Sequence, residues 1–194
     1  MSENYLIETE KSFLSISSFK KNEKLISRCV SEISSLLLER PEIIVFGKIV
    51  RQNRNVGFFS DESEGYKFSN KMMQSQPLTS NLKKLMEKIN EKYNANFNGI
   101  LINHYIDGNN VIGKHSDDET NLSDKGVIAI SYGAERKFRI RNKITKKIVS
   151  DVPTEHCSIL HMGGDFQKEF THEIPAEKKI KEERYSFTFR QHLS

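Results

Sequence analysis

The stretch GVIAISYGAERKFRIRN, residues 126–142, reads as two short strands separated by a turn. It lies in a longer region, beginning at Phe97, in which short apolar runs are separated by turn signals such as Asp107-Gly108 and Asn142-Lys143. We therefore predict a series of strands in the second half of the chain, at 98–105, 126–132, 136–142, 144–150, 157–162, 169–174 and 184–190.

Two helices are predicted upstream of these strands. Residues 22–40 carry an apolar stripe at helical spacing, and Pro41 ends the pattern. A second apolar stripe covers 81–94 and follows Ser80, whose hydroxyl suits an N-cap. Around these helices we expect a weak strand, a second strand and a polar irregular segment, at 12–18, 43–51 and 52–79 respectively.

Two helices followed by about seven short strands predict an α+β protein dominated by a pair of antiparallel sheets. The expected architecture is a double-stranded β-helix (jelly roll) core with two N-terminal supporting helices. We expect residues 1–42 to form an N-terminal extension with one amphipathic helix, and residues 43–194 to form the jelly-roll domain.

The composition is that of a globular protein, with 36% hydrophobic and 29% charged residues in a chain of 194. No apolar run approaches the roughly 20 residues of a membrane span, and the N-terminus lacks the features of a secretory signal. The two cysteines, Cys29 and Cys157, are far apart and lack CxxC partners. These features predict an intracellular protein, in the cytoplasm or nucleus, that is neither secreted nor in a membrane.

The distribution of charge is more informative than its formal total of +4. Basic residues occur without acids between Arg136 and Lys147, and a second basic cluster comprises Lys178, Lys179 and Lys181. Segregated positive charge can neutralise the phosphates of a nucleic acid. A solvated lysine-rich surface explains the same pattern equally well.

A possible metal site begins with His115-Ser116-Asp117. On a strand, side chains at i and i+2 share one face. His172, near the end of another predicted strand, supplies a second imidazole. Two imidazoles and one carboxylate form the facial triad of non-haem iron(II) oxygenases, which leaves positions open for a cosubstrate and dioxygen. The His-x-Asp pattern alone is weak, since polar loop histidines are common.

The last predicted strand strengthens this interpretation. Arg184 and Arg190 are six residues apart in RYSFTFR, so they face the same side as Ser186 and Thr188. Arginines on the inner face of a barrel are costly without an anionic partner. A dicarboxylate would supply one through charge-assisted hydrogen bonds. The alternative is an edge strand whose arginines face water.

These motifs resemble the AlkB family of 2-oxoglutarate-dependent nucleic-acid demethylases, and most closely its eukaryotic-type DNA repair branch. The family pattern of H-x-D, a distal His and R-x-N-x-T-x-R is matched by His115, Asp117, His172 and the strand 184–190, with Ser186 in place of the usual Asn. The similarity extends in order from about Ile44 through VFGK, YKFSN, FNGILINHYIDGNNVIGKHSDDE, IAISYGAERKFRIR, HEIP and FTFR.

The resemblance implies a cofactor set of Fe(2+), 2-oxoglutarate and dioxygen. It implies that the 2-oxoglutarate site comprises Asn103, Tyr105, Arg184, Thr188 and Arg190. It also implies a nucleotide-recognition segment at 43–75 and a pocket for a flipped base lined by Tyr66, Phe68, Glu119 and His115. Phe46 would be a finger that enters the duplex, and the nucleic-acid backbone would be contacted by Lys48, Arg51, Lys178 and Lys179.

The implied activity is oxidative demethylation of N-alkylated bases, such as 1-methyladenine and 3-methylcytosine, in DNA. Three other interpretations stay open. The same chemistry could act on RNA or another substrate, a catalytically silent module could bind modified nucleic acid, or the chain could be a structural domain without a site. We expect a monomer.

Overall fold

The computed structural model describes residues 3–45, 47–68, 71–117 and 123–193. Over these ranges the helices are α1 (Glu23–Ile33), α2 (Ser80–Tyr93) and α3 (Phe166–Glu169). The strands are β1 (Asn4–Glu8), β2 (Ser12–Ser18), β3 (Glu42–Val45), β4 (Lys48–Arg51), β5 (Asn55–Phe59), β6 (Gly65–Phe68), β7 (Lys71–Gln74), β8 (Gly99–Tyr105), β9 (Ile112–His115), β10 (Val127–Gly133), β11 (Arg136–Asn142), β12 (Ile148–Thr154), β13 (Ser158–Gly164), β14 (Phe170–Ile174) and β15 (Arg184–Arg190).

Two antiparallel sheets form the body of the protein. The larger has the order β1-β2-β13-β10-β15-β8-β5, and the smaller has the order β12-β11-β14-β9. A shared apolar core includes Val127, Ala129 and Leu160 from the larger sheet and Phe138 and Ile140 from the smaller. Packing between two sheets follows from strands whose inner faces are apolar. This pair of sheets is the arrangement predicted from the series of short strands.

Side-chain alternation on the central strands divides the larger sheet into two faces. In β10, Ile128 and Ile130 belong to the core shared with the helices, whereas Val127 and Ala129 belong to the core between the sheets. In β15, Phe187 and its aromatic neighbours face the helices. The intervening residues of β15 therefore point between the sheets, and they are Arg184, Ser186, Thr188 and Arg190.

Helices α1 and α2 cover the outer face of the larger sheet, where Ile26, Ile33, Leu82 and Leu85 are fully buried. Helix α2 is capped by the side chain of Thr79, which accepts a hydrogen bond from the Leu82 N–H at 3.3 Å, rather than by Ser80 as predicted. No helix within the described ranges is long and apolar enough to cross a membrane.

The first helix is much shorter than the predicted 22–40 because it ends at Ile33. Beyond it the backbone of Leu38 exchanges two hydrogen bonds with Val56 at the edge of β5, and Arg40 adopts a φ of 44°. These two hydrogen bonds satisfy the backbone polar groups of Leu38. Residues 34–40 therefore gain little from continuing the helix. Strand β2, from within the predicted N-terminal extension, pairs with β13 inside the larger sheet.

Three other predicted segments differ clearly from the structure, while most remaining strand ends are shifted by one or two residues. The expected strand 43–51 is a hairpin of β3 and β4, with a turn at Gly47, whose φ of 75° suits glycine. The expected irregular segment 52–79 contains β5, β6 and β7. Strand β12 begins at Ile148 rather than at residue 144, because the Asn142 side chain accepts hydrogen bonds from two backbone N–H groups and folds 143–147 into a turn.

Candidate metal centre and cosubstrate cavity

The pairing of β14 with β9 brings the two candidate histidine ligands together. His172 lies directly opposite His115 in the register, and their ring centroids are 4.3 Å apart. Asp117 follows β9 by two residues, and its backbone N–H donates to the Gln167 side chain at 2.9 Å. The ligand atoms of the three residues lie within 4.8 Å of one another. The structure therefore assembles the predicted triad from two strands of the smaller sheet and the segment that follows β9.

Hydrogen bonds and packing orient these side chains toward one point. The His115 Nδ1–H donates to the carbonyl oxygen of Gly113 at 2.8 Å, so Nε2 carries the lone pair and lies 3.9 Å from an Asp117 oxygen. The His172 ring stacks on Phe138 at 4.9 Å, and its Nε2 lies 3.6 Å from the other Asp117 oxygen. A fixed tautomer and a fixed ring plane are what a metal-ligating imidazole requires.

The electrostatics keep all three groups in their metal-binding protonation states at neutral pH. Burial, reinforced by His115, lowers the pKa of His172 to about 3, and burial also lowers the pKa of His115. Burial acts to raise the pKa of Asp117, but Arg190 and the two histidines outweigh it and lower that pKa to about 2. Neutral imidazoles and an ionised carboxylate are the forms that coordinate a divalent cation.

The donor set fits iron(II). Two imidazole nitrogens and one carboxylate oxygen on one side of the ion are typical of non-haem iron oxygenases, whereas structural zinc sites usually have four protein ligands. Within the described part of the chain these three residues form a cluster with the spacing of metal ligands.

A cavity opens beside the triad, between the two sheets. Its polar lining comes mainly from the inner faces of β8 and β15. Because side chains alternate along β15, Phe187 packs against the helices while its polar neighbours point into the cavity. All five residues predicted to bind 2-oxoglutarate line it, and they are Asn103, Tyr105, Arg184, Thr188 and Arg190. Ser186, which replaces the asparagine of the family pattern, also lines it.

Arg184 is the strongest indication of an anionic ligand in this cavity. Its side chain is 2% exposed, and its Nη2 donates to the Ser131 hydroxyl at 2.8 Å. Its Nε and Nη1 have no hydrogen-bond partner among the described residues. Burial lowers the pKa of this guanidinium, and the neighbouring Tyr105 opposes that shift. Because a buried cation with unmet donors is costly, the site is suited to a carboxylate that accepts from them.

Arg190 contacts the metal ligand directly, which the sequence did not predict. Its Nη2 donates to an Asp117 oxygen at 3.3 Å, and its guanidinium lies 4.5 Å from the ring centroid of Tyr66. Arg190 is fully buried. It therefore holds the Asp117 carboxylate in place from the side of the larger sheet.

The residues predicted for the base pocket are described only in part. Tyr66 is buried and stacks on Phe58 at 5.8 Å as well as on Arg190, so its ring is part of the wall behind the site. The backbone of Phe68 belongs to β6, but its side chain lies outside the described part of the structure. Phe46 and Glu119 also lie outside the described residues.

The predicted nucleic-acid contacts lie on the surface. Lys48 and Arg51 are exposed on β4, where Arg51 is 4.0 Å from Glu42. Lys178 and Lys179 are exposed in the loop between β14 and β15. The structure brings neither pair into the cavity, so contact with a backbone stays a prediction for all four.

Two buried arginines at the site were missed. The Arg54 Nε donates to the Asn103 side-chain oxygen at 2.7 Å. Arg136 lies 5.7 Å from the centroid of the Tyr105 ring. Arg54 lies in a polar segment without strand alternation, and Arg136 lies in a basic run that suggested solvent exposure. Arg54 carried no signal of burial in the sequence, whereas Arg136 alternates with Phe138 and Ile140 in the predicted strand 136–142, which places it on their face.

Comparisons with known proteins agree with this geometry. A family model described as the 2OG-Fe(II) oxygenase superfamily matches residues 11–190. The DNA oxidative demethylase ALKBH2 of Homo sapiens is 32% identical over 157 residues, which is 77% of this chain and 60% of the relative's length. The alpha-ketoglutarate-dependent dioxygenase alkB homolog 3 of Rattus norvegicus is 35% identical over 115 residues, which is 55% of this chain and 39% of that protein. These matches confirm the resemblance to the AlkB family.

A solved structure, that of OsALKBH1, shares the fold. It superposes with a TM-score of 0.60 at 16% identity and covers 97% of this chain and 100% of its own. Identity at this level bears on the fold alone, and it confirms the jelly-roll core. The chain spans 60% of the length of the human relative.

Proposed function

The chain belongs to the 2OG-Fe(II) oxygenase superfamily, and on that premise we propose that it is a dioxygenase that removes N-linked methyl groups from bases in DNA. The observation that carries this proposal is the meeting of three groups in one cavity. A metal-binding triad, the buried cation of Arg184 and a polar strand face lie side by side. A site for a divalent metal beside a site for a carboxylate is what a 2-oxoglutarate-dependent oxygenase requires.

Each residue has a role that follows from its contacts. His115, Asp117 and His172 would hold iron(II). The Arg184 Nε and Nη1, which have no hydrogen-bond partner among the described residues, would donate to the far carboxylate of 2-oxoglutarate. The other polar residues of the cavity orient the cosubstrate, and they are Asn103, Tyr105 and Thr188. Arg190 keeps Asp117 ionised and aligned.

The bound metal, with 2-oxoglutarate and dioxygen, supplies the oxidation of a methyl C–H bond to C–OH, with release of succinate and carbon dioxide, after which the N-hydroxymethyl group loses formaldehyde. The protein's own contribution is to place the base and to exclude water. The apolar residues around the cavity, including Ile112, Leu160 and Met162, keep the metal side dry.

The proposed substrates are 1-methyladenine and 3-methylcytosine. Their methyl groups lie on the Watson–Crick edge, so the base must leave the duplex to reach the metal. Tyr66, Phe68, Glu119 and His115 would line the base pocket, and Phe46 would fill the gap in the stack. Exposed basic residues on two separate elements support phosphate contacts, through Lys48 and Arg51 on β4 and Lys178 and Lys179 before β15. Action on DNA agrees with the predicted intracellular location.

DNA is favoured over RNA because the human relative is named a DNA oxidative demethylase. The non-catalytic alternative is disfavoured by the low pKa of Asp117 and by the unmet donors of Arg184. A module that only binds a modified base would need neither the ionised Asp117 nor the buried Arg184, since burying either charge costs free energy.

The direct experiment is to measure formaldehyde and succinate released from oligonucleotides that contain one 3-methylcytosine, offered as single-stranded DNA, duplex DNA and RNA. We expect equal amounts of both products, with faster turnover on DNA than on RNA. Asp117→Ala should release neither product. Faster turnover on RNA would replace the proposed substrate, and absence of both products with iron(II) and 2-oxoglutarate present would refute the proposed activity.

A further inference from the structure

The loop that joins β14 to β15, residues 175–183, carries balanced charges in the sequence. Its three lysines are Lys178, Lys179 and Lys181, and its three acids are Glu177, Glu182 and Glu183. A net charge of zero would give such a loop little attraction for a polyanion. In the structure these six side chains differ in their exposure and in the groups that they contact.

Two of the acids are engaged by groups of the protein. Glu177 Oε2 accepts from Arg136 Nε at 3.3 Å and from the Lys137 backbone N–H at 2.8 Å. Glu183 lies 2.8 Å from His104 Nε2. All three lysines are exposed. Glu182 and Glu183 are exposed as well, so Glu177, whose side chain is 26% exposed, is the one acid of this loop that is partly withdrawn from its surface.

Arg136 is the fixed point of this arrangement because its side chain is only 1% exposed. Besides Glu177, its guanidinium donates to the carbonyl oxygens of Asp107 at 3.1 Å, Asn110 at 2.9 Å and Pro175 at 2.8 Å. A buried guanidinium requires acceptors for its five N–H groups, and this one takes them from the loop after β8 as well as from the loop before β15. It ties the two loops to each other.

The backbones of the two loops are also joined. The Gly108 N–H donates to the Ile180 carbonyl at 2.9 Å, and the Glu177 N–H donates to the Gly108 carbonyl at 2.8 Å. A Cβ at Gly108 would lie 1.9 Å from the Glu177 carbonyl oxygen, so only glycine permits this approach. Lys178 and Lys179 extend from the segment between these two hydrogen bonds, where the backbone is held at both ends.

We propose that Glu177 is a positioning residue for nucleic-acid binding, which holds Lys178 and Lys179 toward the phosphodiester backbone through its ion pair with Arg136. This inference rests on the proposed function, since it assumes that the base entering the cavity belongs to a nucleic-acid chain. It reverses the expected effect of the glutamate, because an acid beside two phosphate-binding lysines would ordinarily weaken binding.

The direction in which Glu177→Gln changes the affinity for DNA tells whether Glu177 opposes binding or supports it. If Glu177 only adds negative charge near the phosphates, Glu177→Gln tightens binding of a methylated duplex. If Glu177 is the anchor, the same change weakens binding roughly fivefold to tenfold and makes the dependence of log K on log salt shallower by about one. Glu182→Gln is the matched control. Glu182 is an exposed acid of the same loop without a contact to Arg136 among the described atoms, and its removal should leave affinity equal or slightly higher.

The lysines provide a second readout. In a background of Lys178→Ala and Lys179→Ala, Glu177→Gln should cause no further loss, because the glutamate acts through those side chains. Turnover of 2-oxoglutarate without DNA should stay at the wild-type value in Glu177→Gln, whereas the melting temperature should fall, because the buried Arg136 loses its charged partner. Tighter binding by Glu177→Gln, or an equal loss with and without the lysines, would overturn the proposal. A wild-type protein that releases no formaldehyde from methylated DNA would instead refute the proposed function.

Discussion

The floor of the cavity and the hairpins beside it are built in different ways. The floor consists of β8, β9, β14 and β15, which are central or paired strands of the two large sheets and carry buried ligands and arginines. The hairpins β3–β4 and β6–β7 are separate two-stranded sheets, and β4 is exposed along its length. A two-stranded hairpin is marginally stable alone. The metal and cosubstrate groups are therefore set by sheet register, whereas the predicted contacts Phe46, Lys48 and Arg51 lie in or beside the exposed strand β4 in the sequence.

The largest expected effect is on the floor. His172→Ala and Asp117→Asn should each reduce 2-oxoglutarate decarboxylation on the order of a thousandfold or more, because each removes one of three metal ligands. The loss should be the same with and without methylated DNA, as measured by succinate formation. Lys114→Ala, on the exposed face of β9, is the control and should retain full activity. Substantial turnover in either ligand variant would place the metal elsewhere.

Arg184→Met should weaken 2-oxoglutarate binding by roughly 10- to 100-fold, since hydrogen bonds to a charged group contribute about 1.5–3 kcal/mol. The ligand-free variant should be as stable as the wild type or more stable, because a buried charge with unmet donors is replaced by an apolar side chain. Calorimetric titration and thermal melts with and without 2-oxoglutarate measure both effects. Arg184→Lys should bind 2-oxoglutarate with an affinity between those of the wild type and Arg184→Met. An unchanged affinity in Arg184→Met would contradict the assignment of the carboxylate site.

Phe46→Ala should lower kcat/KM for methylated duplex DNA about tenfold, because one stacking contact contributes roughly 1–3 kcal/mol. Activity on single-stranded DNA and turnover of 2-oxoglutarate without DNA should stay near the wild-type values. Steady-state kinetics on the three substrates gives the comparison. An equal loss on all of them would mean that the hairpin contributes to the cavity itself.

The smallest expected effect concerns stability. Ile49 on β4 is 72% exposed, so Ile49→Ala should change the free energy of unfolding by less than about 0.5 kcal/mol. Phe187 is fully buried on β15, so Phe187→Ala should lower the free energy of unfolding by about 3–5 kcal/mol. Urea unfolding of the two variants checks the contrast. Similar losses would show that the hairpin is part of the cooperative core.

The same contrast governs how well the sequence predicted the molecule. Strands β11 and β15 were predicted with their observed bounds, because long-range packing and local alternation agree there. The triad was predicted because His115 and Asp117 are two residues apart and face one side of the chain. Their meeting with His172 depends on the pairing of β9 with β14, which motif similarity indicated and local pattern did not.

The misses have physical causes that lie outside the local sequence. Helix α1 ends at Ile33 because the backbone of Leu38 pairs with β5, which is a contact distant in sequence. Strand β5 was read as irregular although most of its residues are buried. Arg54 and Arg136 were overlooked because the burial of an arginine depends on acceptors from other loops, such as the carbonyls around Arg136.

The most direct test of the central claim is an anaerobic titration of the protein with iron(II) in the presence of 2-oxoglutarate. We predict a weak visible charge-transfer band that saturates at one iron per chain, is lost in His115→Ala and in Asp117→Ala, and needs far more 2-oxoglutarate in Arg184→Met. A band of unchanged intensity in the His115 and Asp117 variants would contradict the claim that these residues, with His172, hold the metal beside the Arg184 carboxylate site.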